Sequence, residues 1–93
     1  KERWLAYRVS ISRGTVYTLR FLKAFGKHLA LKRQEKGISQ EALSFEAGLD
    51  VMTISRIERG ILNVSVGNAY KIAAVLNIHY KDLFDFEIPE QNK

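Results

Sequence analysis

The chain has 93 residues, 46% of them hydrophobic, so it can build one modest core, and no apolar run approaches the roughly 20 residues of a membrane span. Because it contains no cysteine, disulfides and cysteine-based metal sites are excluded. The net charge of +5 divides into +8 over residues 1–37 and −3 over residues 38–93, and such a basic half is typical either of a polyanion-binding protein or of a merely solvated surface.

The first 21 residues alternate apolar and polar side chains on both sides of a glycine-containing turn, "SRG" at 12–14. The alternating apolar residues are Tyr7, Val9, Ile11, Tyr17, Leu19 and Phe21. A period of two favours a β-hairpin, which would have to pack on the rest of the chain or pair with a second chain. A long first helix competes, because some apolar residues also fall at helical spacing, namely Val16, Leu19, Leu22 and Phe25.

A first helix is otherwise predicted from about Leu22 to Gly37, where apolar residues recur every three or four positions. Ser39 is the predicted N-cap of a second helix over residues 40–47. Gly48 ends this second helix, because glycine tolerates the positive φ that a tight turn requires.

A third helix over residues 51–59 follows after a turn of about three residues. Asp50 is its predicted N-cap, Ile54 and Ile57 are predicted to face inward, and Gly60 ends it. Two helices that cross at a steep angle need such a tight turn, and in that geometry the third helix protrudes.

The fourth helix is predicted to begin after Ser65 and to close at Asn77, which tolerates the left-handed conformation. Its predicted apolar stripe consists of Val66, Ala69, Ile72, Ala73 and Leu76. A short fifth helix, about residues 80–84, offers Leu83 and Phe84 as a lid on the core, and residues 87–93 are a predicted polar tail.

The stretch "ISQEALSFEAGLDVMTISRIERG" at residues 38–60 resembles the helix-turn-helix of the Cro/cI-type, or Xre-like, DNA-binding family. The residues that carry the likeness are Ser39, Gln40, Leu43, Gly48, Ile54, Ile57, Glu58 and Gly60. The resemblance spans roughly residues 24–86. It implies an all-α, compact five-helix, lambda-repressor-like DNA-binding domain over residues 22–86, with residues 1–21 as an N-terminal extension for packing or dimerisation.

The resemblance also implies that helix 51–59 enters the major groove of DNA, which is about 12 Å wide. The implied base-reading residues are Val51, Met52, Thr53, Ser55 and Arg56. In that role Val51 and Met52 can pack on thymine methyl groups and Arg56 can pair bidentately with guanine. The competing interpretation of Met52 is that it fills the core. The implied phosphate-contacting residues are Ser39, Gln40, Arg59 and Asn63.

In the family, an arginine late in the first helix pairs with a glutamate at the end of the reading helix, which implies a structural ion pair between Arg33 and Glu58. The sequence departs from the family pattern at four positions: Lys32, Ser44, Val64 and Gly67. None of them prevents the fold, although Gly67 costs roughly 1 kcal/mol of helix propensity relative to alanine.

The resemblance implies a sequence-specific transcriptional regulator of double-stranded DNA, a repressor or autoregulator that reads a palindromic operator as a homodimer. Phage repressors, controllers of restriction–modification systems and antitoxins share the pattern. The alternatives are a protein-interaction module of the same fold and a non-specific nucleic-acid binder. A hairpin that covers the third helix would favour the interaction module, whereas a hairpin that pairs two chains would favour the dimeric regulator.

The sequence offers no catalytic set, and we expect no enzyme, cofactor, metal site, small-molecule substrate or membrane partner. His28 and His79 lie far apart and are expected to be solvated or to act as caps, and the acidic residues near the C-terminus lack the glycine of a calcium loop. A cytoplasmic protein of a prokaryotic cell or phage, nucleoid-associated when bound, is expected. Since Met52 is the only methionine, we expect Lys1 not to be a natural translation start.

Overall fold

The computed structural model describes residues 12–88, which form five α-helices. These are α1 (Arg13–Glu35), α2 (Gln40–Ala47), α3 (Val51–Glu58), α4 (Val66–Leu76) and α5 (Tyr80–Leu83). No β-strand occurs in this described part of the chain, so the predicted all-α, five-helix architecture is confirmed. Between residues 12 and 88, none of the helices is long and apolar enough to cross a bilayer.

The helix starts are set by local hydrogen bonds from capping side chains, as the sequence predicts. Ser39, Asp50 and Ser65 accept bonds from the backbone N–H groups of Ala42, Met52 and Asn68, and these three predicted N-caps are confirmed. His79 caps α5 through its Nδ1 atom, which accepts from the N–H of Lys81 at 3.1 Å. Helix α2 has the predicted bounds, and α3 ends one residue earlier than predicted.

The predicted β-hairpin is wrong, because residues 13–21 form the first turns of α1. Ser12 lies in the predicted turn, yet its Oγ accepts from the N–H of Thr15 and caps the helix. A helix that is nucleated on the core gains one hydrogen bond with each added residue, so α1 extends back to that cap. The predicted first strand, with Tyr7, Val9 and Ile11, lies outside the described residues. The division of the chain at residues 21 and 86 stays a prediction, although α1 runs through residue 21 without interruption.

The core lies inside a ring of five helices, in which α1 packs on α3, α3 on α2, α2 on α4, α4 on α5, and α5 on α1. Its buried side chains are Phe25, Leu29, Leu43, Ile54, Ile57, Ala69, Ile72, Ala73, Leu76 and Leu83. Phe84 covers the edge of this core, with its ring centroid 5.2 Å from that of Phe25. The prediction for Val66 is wrong, since 88% of it is exposed. It is the first residue of α4 and precedes the turns that pack on the other helices.

Backbone contact between α1 and the C-terminal end of α3 sets the position of α3. A Cβ atom added to Gly26 would lie 2.5 Å from the carbonyl oxygen of Glu58 and would also meet the carbonyl oxygen of Ile57. A Cβ added to Gly60, where φ is +77°, would lie 2.8 Å from the Cα of Lys23. The two glycines therefore allow α1 and the end of α3 to approach more closely than residues with side chains would permit.

Two glycine substitutions distinguish the effect of the close contact between α1 and α3 on stability from the effect of helix propensity. We expect Gly26→Ala to lower the free energy of unfolding by about 1–3 kcal/mol, because the new methyl group forces α1 away from the α3 backbone. The matched variant is Gly67→Ala, where an added Cβ meets no atom within 4 Å. We expect it to raise stability by about 0.5–1 kcal/mol. Urea unfolding of both variants measures the difference, and equal effects would contradict the close contact at Gly26.

Candidate nucleic-acid interface

The turn between α2 and α3 fixes the angle at which α3 leaves the domain. Gly48 adopts φ +69°, and its N–H donates to the carbonyl of Phe45 at 3.2 Å. The N–H of Leu49 donates to the carbonyl of Ser44 at 2.8 Å, so the last turn of α2 closes in a Schellman-like arrangement. Three residues separate the two helices, as the sequence predicts.

The two sides of α3 differ sharply in burial. Ile54 and Ile57 are buried in the core, as predicted. Of the residues implied to read bases, Met52 and Arg56 are exposed, and Val51, Thr53 and Ser55 are partly buried. Met52 is 47% exposed, so it does not fill the core. The exposed side of α3 therefore combines one flexible apolar side chain with one guanidinium group.

The residues implied to contact phosphates lie near the C-terminal end of α3. Arg59 and Asn63 are exposed after the end of α3, and Ser39 and Gln40 lie at the start of α2. The amide nitrogen of Gln40 donates to Oε1 of Glu58 at 2.8 Å. An amide group has a second hydrogen to donate, so this bond leaves one donor of Gln40 for another acceptor. The contacts of these four residues with phosphates stay a prediction.

Glu58 accepts three hydrogen bonds at the C-terminal end of α3. Its Oε2 lies 2.6 Å from Nε of Arg33, and its Oε1 lies 3.1 Å from Nη2 of the same guanidinium group. Gln40 supplies the third bond. Only 6% of the Glu58 side chain and 12% of the Arg33 side chain are exposed. Arg33 also donates through Nη1 to the carbonyl of Ile38 at 3.0 Å, which ties the loop between α1 and α2 into the same network.

Sequence reasoning missed two residues that hold α3 in place. The bond of Gln40 to Glu58 joins residues 18 positions apart, and nothing in the sequence near Gln40 indicates it. Gly26 did carry a signal, since a glycine inside an apolar helical pattern often has a packing reason.

The buried Ser44, one of the departures from the family pattern, donates a hydrogen bond from its hydroxyl to the carbonyl of Glu41 at 2.8 Å. Ser44 is therefore accommodated within α2 itself.

The two histidines have structural partners. The Nε2 atom of His28 lies 2.8 Å from the carbonyl oxygen of Asp82, so it donates a hydrogen bond that joins α1 to the end of α5. His79 is the N-cap of α5. Across residues 12–88, no three or more His, Asp or Glu side chains come together in a geometry that could hold a metal ion.

A short helix α2, a glycine turn and a protruding α3 define a helix-turn-helix protein. The helix-turn-helix family matches residues 29–83, and the chain belongs to this family, in its Xre and Cro/cI type. The resemblance drawn from the sequence is thus confirmed.

One relative and two solved structures each match about two thirds of the chain. Control protein C.BamHI of Bacillus amyloliquefaciens is 46% identical over 63 residues, which are 67% of this chain and 78% of C.BamHI. The crystal structure of the restriction-modification controller protein C.AhdI of Aeromonas hydrophila superposes with a TM-score of 0.65 at 44% identity, covering 69% of this chain and 96% of C.AhdI. The N-terminal DNA-binding domain of the biofilm regulator SinR of Bacillus subtilis gives a TM-score of 0.57 at 33% identity, covering 68% and 93%.

We expect Glu58→Ala to loosen or unfold the domain and to lower its stability by about 3–5 kcal/mol, because Arg33 would be left partly buried without its partner. The matched control is Glu46→Ala, which removes an exposed glutamate from α2 and should change stability by less than about 0.5 kcal/mol. Thermal melts followed by circular dichroism measure both. A melt of Glu58→Ala that coincides with the wild type would contradict a structural role for the pair.

Proposed function

We propose that this protein is a transcriptional regulator that binds double-stranded DNA in a sequence-specific manner through α3. The observation that carries the proposal is the position of α3. Gly48 sets its start, Glu58 ties its end to α1 and α2, and its exposed side presents Met52 and Arg56. A helix held at both ends in this way keeps its side chains in one register, which base reading requires.

The chemistry of the exposed side suits base edges in the major groove. The guanidinium of Arg56 has the fork geometry that pairs with O6 and N7 of guanine, and Met52 with Val51 offers an apolar surface for a thymine methyl group. Thr53 and Ser55 are partly buried and carry short hydroxyl side chains, so they reach only groups close to the helix.

Phosphate contacts position the protein on the duplex. The first N–H groups of α2 and the second amide hydrogen of Gln40 are donors near the start of α2, with the hydroxyl of Ser39 beside them. Arg59 and Asn63 lie beyond the C-terminal end of α3 and supply a cation and an amide. Both groups would contact phosphates near the C-terminal end of the reading helix.

We further propose that the protein acts as a homodimer on a palindromic operator. An exposed apolar surface on α4 and α5, here named the α4–α5 face, is formed by Val66, Tyr70, Tyr80 and Phe84. A two-fold dimer needs a patch that is complementary to itself, and an uncharged patch brings no like charges together. Dimerisation would place two reading helices about one DNA turn apart, roughly 34–36 Å.

The named relatives support a particular biological role. C.AhdI is a restriction-modification controller protein and C.BamHI is named a control protein. We therefore propose that this chain regulates a restriction–modification system, as a repressor or an autoregulator of the genes beside its operator.

Selection from a randomised duplex pool at about physiological salt tests specific binding. We expect an inverted repeat to be enriched. Arg56→Ala should then relax one guanine position at a cost of about 1–3 kcal/mol, whereas Arg59→Ala should weaken all sequences alike and reduce the salt slope by about 1. A pool that binds without enrichment would mean charge-driven association, and a pool that does not bind would favour the protein-interaction module.

The substitution Val66→Glu tests the proposed homodimer. An acidic residue at the first position of α4 favours the helix, and Val66 is exposed, so the fold should persist. In a dimer through the α4–α5 face each copy would bring a carboxylate into the interface, and we expect the dimer dissociation constant to rise at least about 10-fold. Sedimentation equilibrium measures it. Leu31→Glu, at an exposed position of α1 outside the α4–α5 face, is the control and should leave the dimer mass unchanged.

A further inference from the structure

One side of α1 carries a second, partly exposed surface, which adjoins the α4–α5 face where Phe84 stacks on Phe21. Five residues spaced alternately four and three positions apart form a heptad stripe along it, and we name this stripe the α1 stripe. Its members are Tyr17, Phe21, Ala24, His28 and Leu31. Tyr17 and Leu31 are each 51% exposed, so the stripe is open at both ends.

The α1 stripe borders a cleft with an apolar base and one basic edge. The cleft holds about 510 Å³, and Ala24, Leu31 and Phe86 contribute its apolar lining. The charged lining residues of the cleft are Arg20, Lys23 and Lys27 on α1 and one acid, Glu87, on the other side. Arg20 and Lys27 each immediately precede a member of the stripe and so occupy the heptad position that flanks the apolar seam. Because Ala24 is small, the middle of the stripe allows another helix to approach α1 closely.

Within residues 12–88, the C-terminal segment covers part of this stripe, because Phe84 and Phe86 pack on Phe21 and Phe86 packs on His28. The cleft over Ala24 and Leu31 stays open. Helix α3 crosses α1 at Gly26, and α5 packs beside Phe25 and Phe21 through Phe84. Since successive residues are 100° apart around a helix, Ala24 and Gly26 lie about 200° apart, on opposite sides of α1. A molecule bound at the α1 stripe would therefore leave the exposed side of α3 free.

The charges beside the stripe decide which occupant fits it. In an antiparallel pair with a second copy, Arg20 and Lys27 would face the same cations of the partner, which is unfavourable. Residues 1–11 of the chain itself carry three cationic side chains, on Lys1, Arg3 and Arg8, and one acidic side chain. Their net positive charge would therefore also be repelled by Arg20 and Lys27. An acidic segment avoids both conflicts, because its carboxylates would meet the basic edge.

We propose that the α1 stripe docks an acidic amphipathic helix of another protein. The apolar residues of that helix enter the cleft over Ala24 and Leu31, and its row of Asp or Glu side chains lies along Arg20 and Lys27. This is the helix-in-groove mode of recognition, in which apolar anchors supply affinity and flanking charges supply selectivity. Docking on the side of α1 opposite α3 would let the DNA-bound protein hold its partner at the operator.

Two synthetic three-heptad peptides test the proposal against the full chain. Both carry leucine at the core positions of the heptad, and the flanking positions carry glutamate in one peptide and lysine in the other. By fluorescence anisotropy we expect the glutamate peptide to bind at least about 10-fold more tightly. Arg20→Glu combined with Lys27→Glu should reverse this preference. Equal binding of the two peptides, or binding of neither, overturns the proposal.

Neutral substitutions locate the bound peptide. Ala24→Gln fills the middle of the α1 stripe, and Leu31→Gln removes an exposed anchor, so each should weaken the glutamate peptide at least about 10-fold. Tyr70→Gln, an equivalent change on the α4–α5 face, should leave the peptide affinity unchanged. Thermal melts verify that all three variants fold. If Tyr70→Gln weakened peptide binding as much as Ala24→Gln does, the peptide would bind elsewhere and the proposal would be overturned.

Three outcomes assign the stripe to another occupant and also overturn the proposal. If Ala24→Gln by itself lowered the mass measured by sedimentation, the occupant of the α1 stripe would be a second copy of the chain. A rise in peptide affinity when Trp4 and Leu5 are both replaced by serine would identify the chain's own N-terminal residues. Displacement of the glutamate peptide by duplex DNA would identify the basic edge as a phosphate-binding surface. Simultaneous binding of peptide and duplex supports the docking site.

Discussion

The carboxylate of Glu58 is the interaction on which the position of α3 depends. It lies at the C-terminal end of a helix, where the helix dipole disfavours a negative charge, and its side chain is almost fully buried. It is stable there because Arg33 of α1 and Gln40 of α2 donate three hydrogen bonds to it. One buried charge thus joins three helices, and removing any donor leaves part of that charge uncompensated.

The network around Glu58 can form only because α1 and α3 are in backbone contact. Gly26 and Gly60 remove the side chains that would hold the two segments apart, and the guanidinium of Arg33 then reaches the carboxylate. The tight turn at Gly48 fixes the opposite end of α3. With both ends fixed, the burial of Ile54 and Ile57 determines which side of the helix faces outward.

Two groups of exposed apolar residues form surfaces with different electrostatics. The α4–α5 face is uncharged, which suits a second copy related by two-fold symmetry. The α1 stripe has a basic edge, which suits an acidic partner of a different chain. The first nine residues of α1 contribute no side chain to the core, so a partner on the stripe would also stabilise that end of the helix.

The sequence by itself determined the starts of α2, α3 and α4 and the end of α2, because Ser39, Asp50, Ser65 and Gly48 act through hydrogen bonds to residues only a few positions away. It also determined most of the core, through apolar spacing. Only the tertiary structure decided that residues 13–21 are helical, because their apolar residues fit both a period of two and helical spacing. It also decided which donors meet Glu58, since these lie 18 and 25 residues away and depend on how whole helices pack.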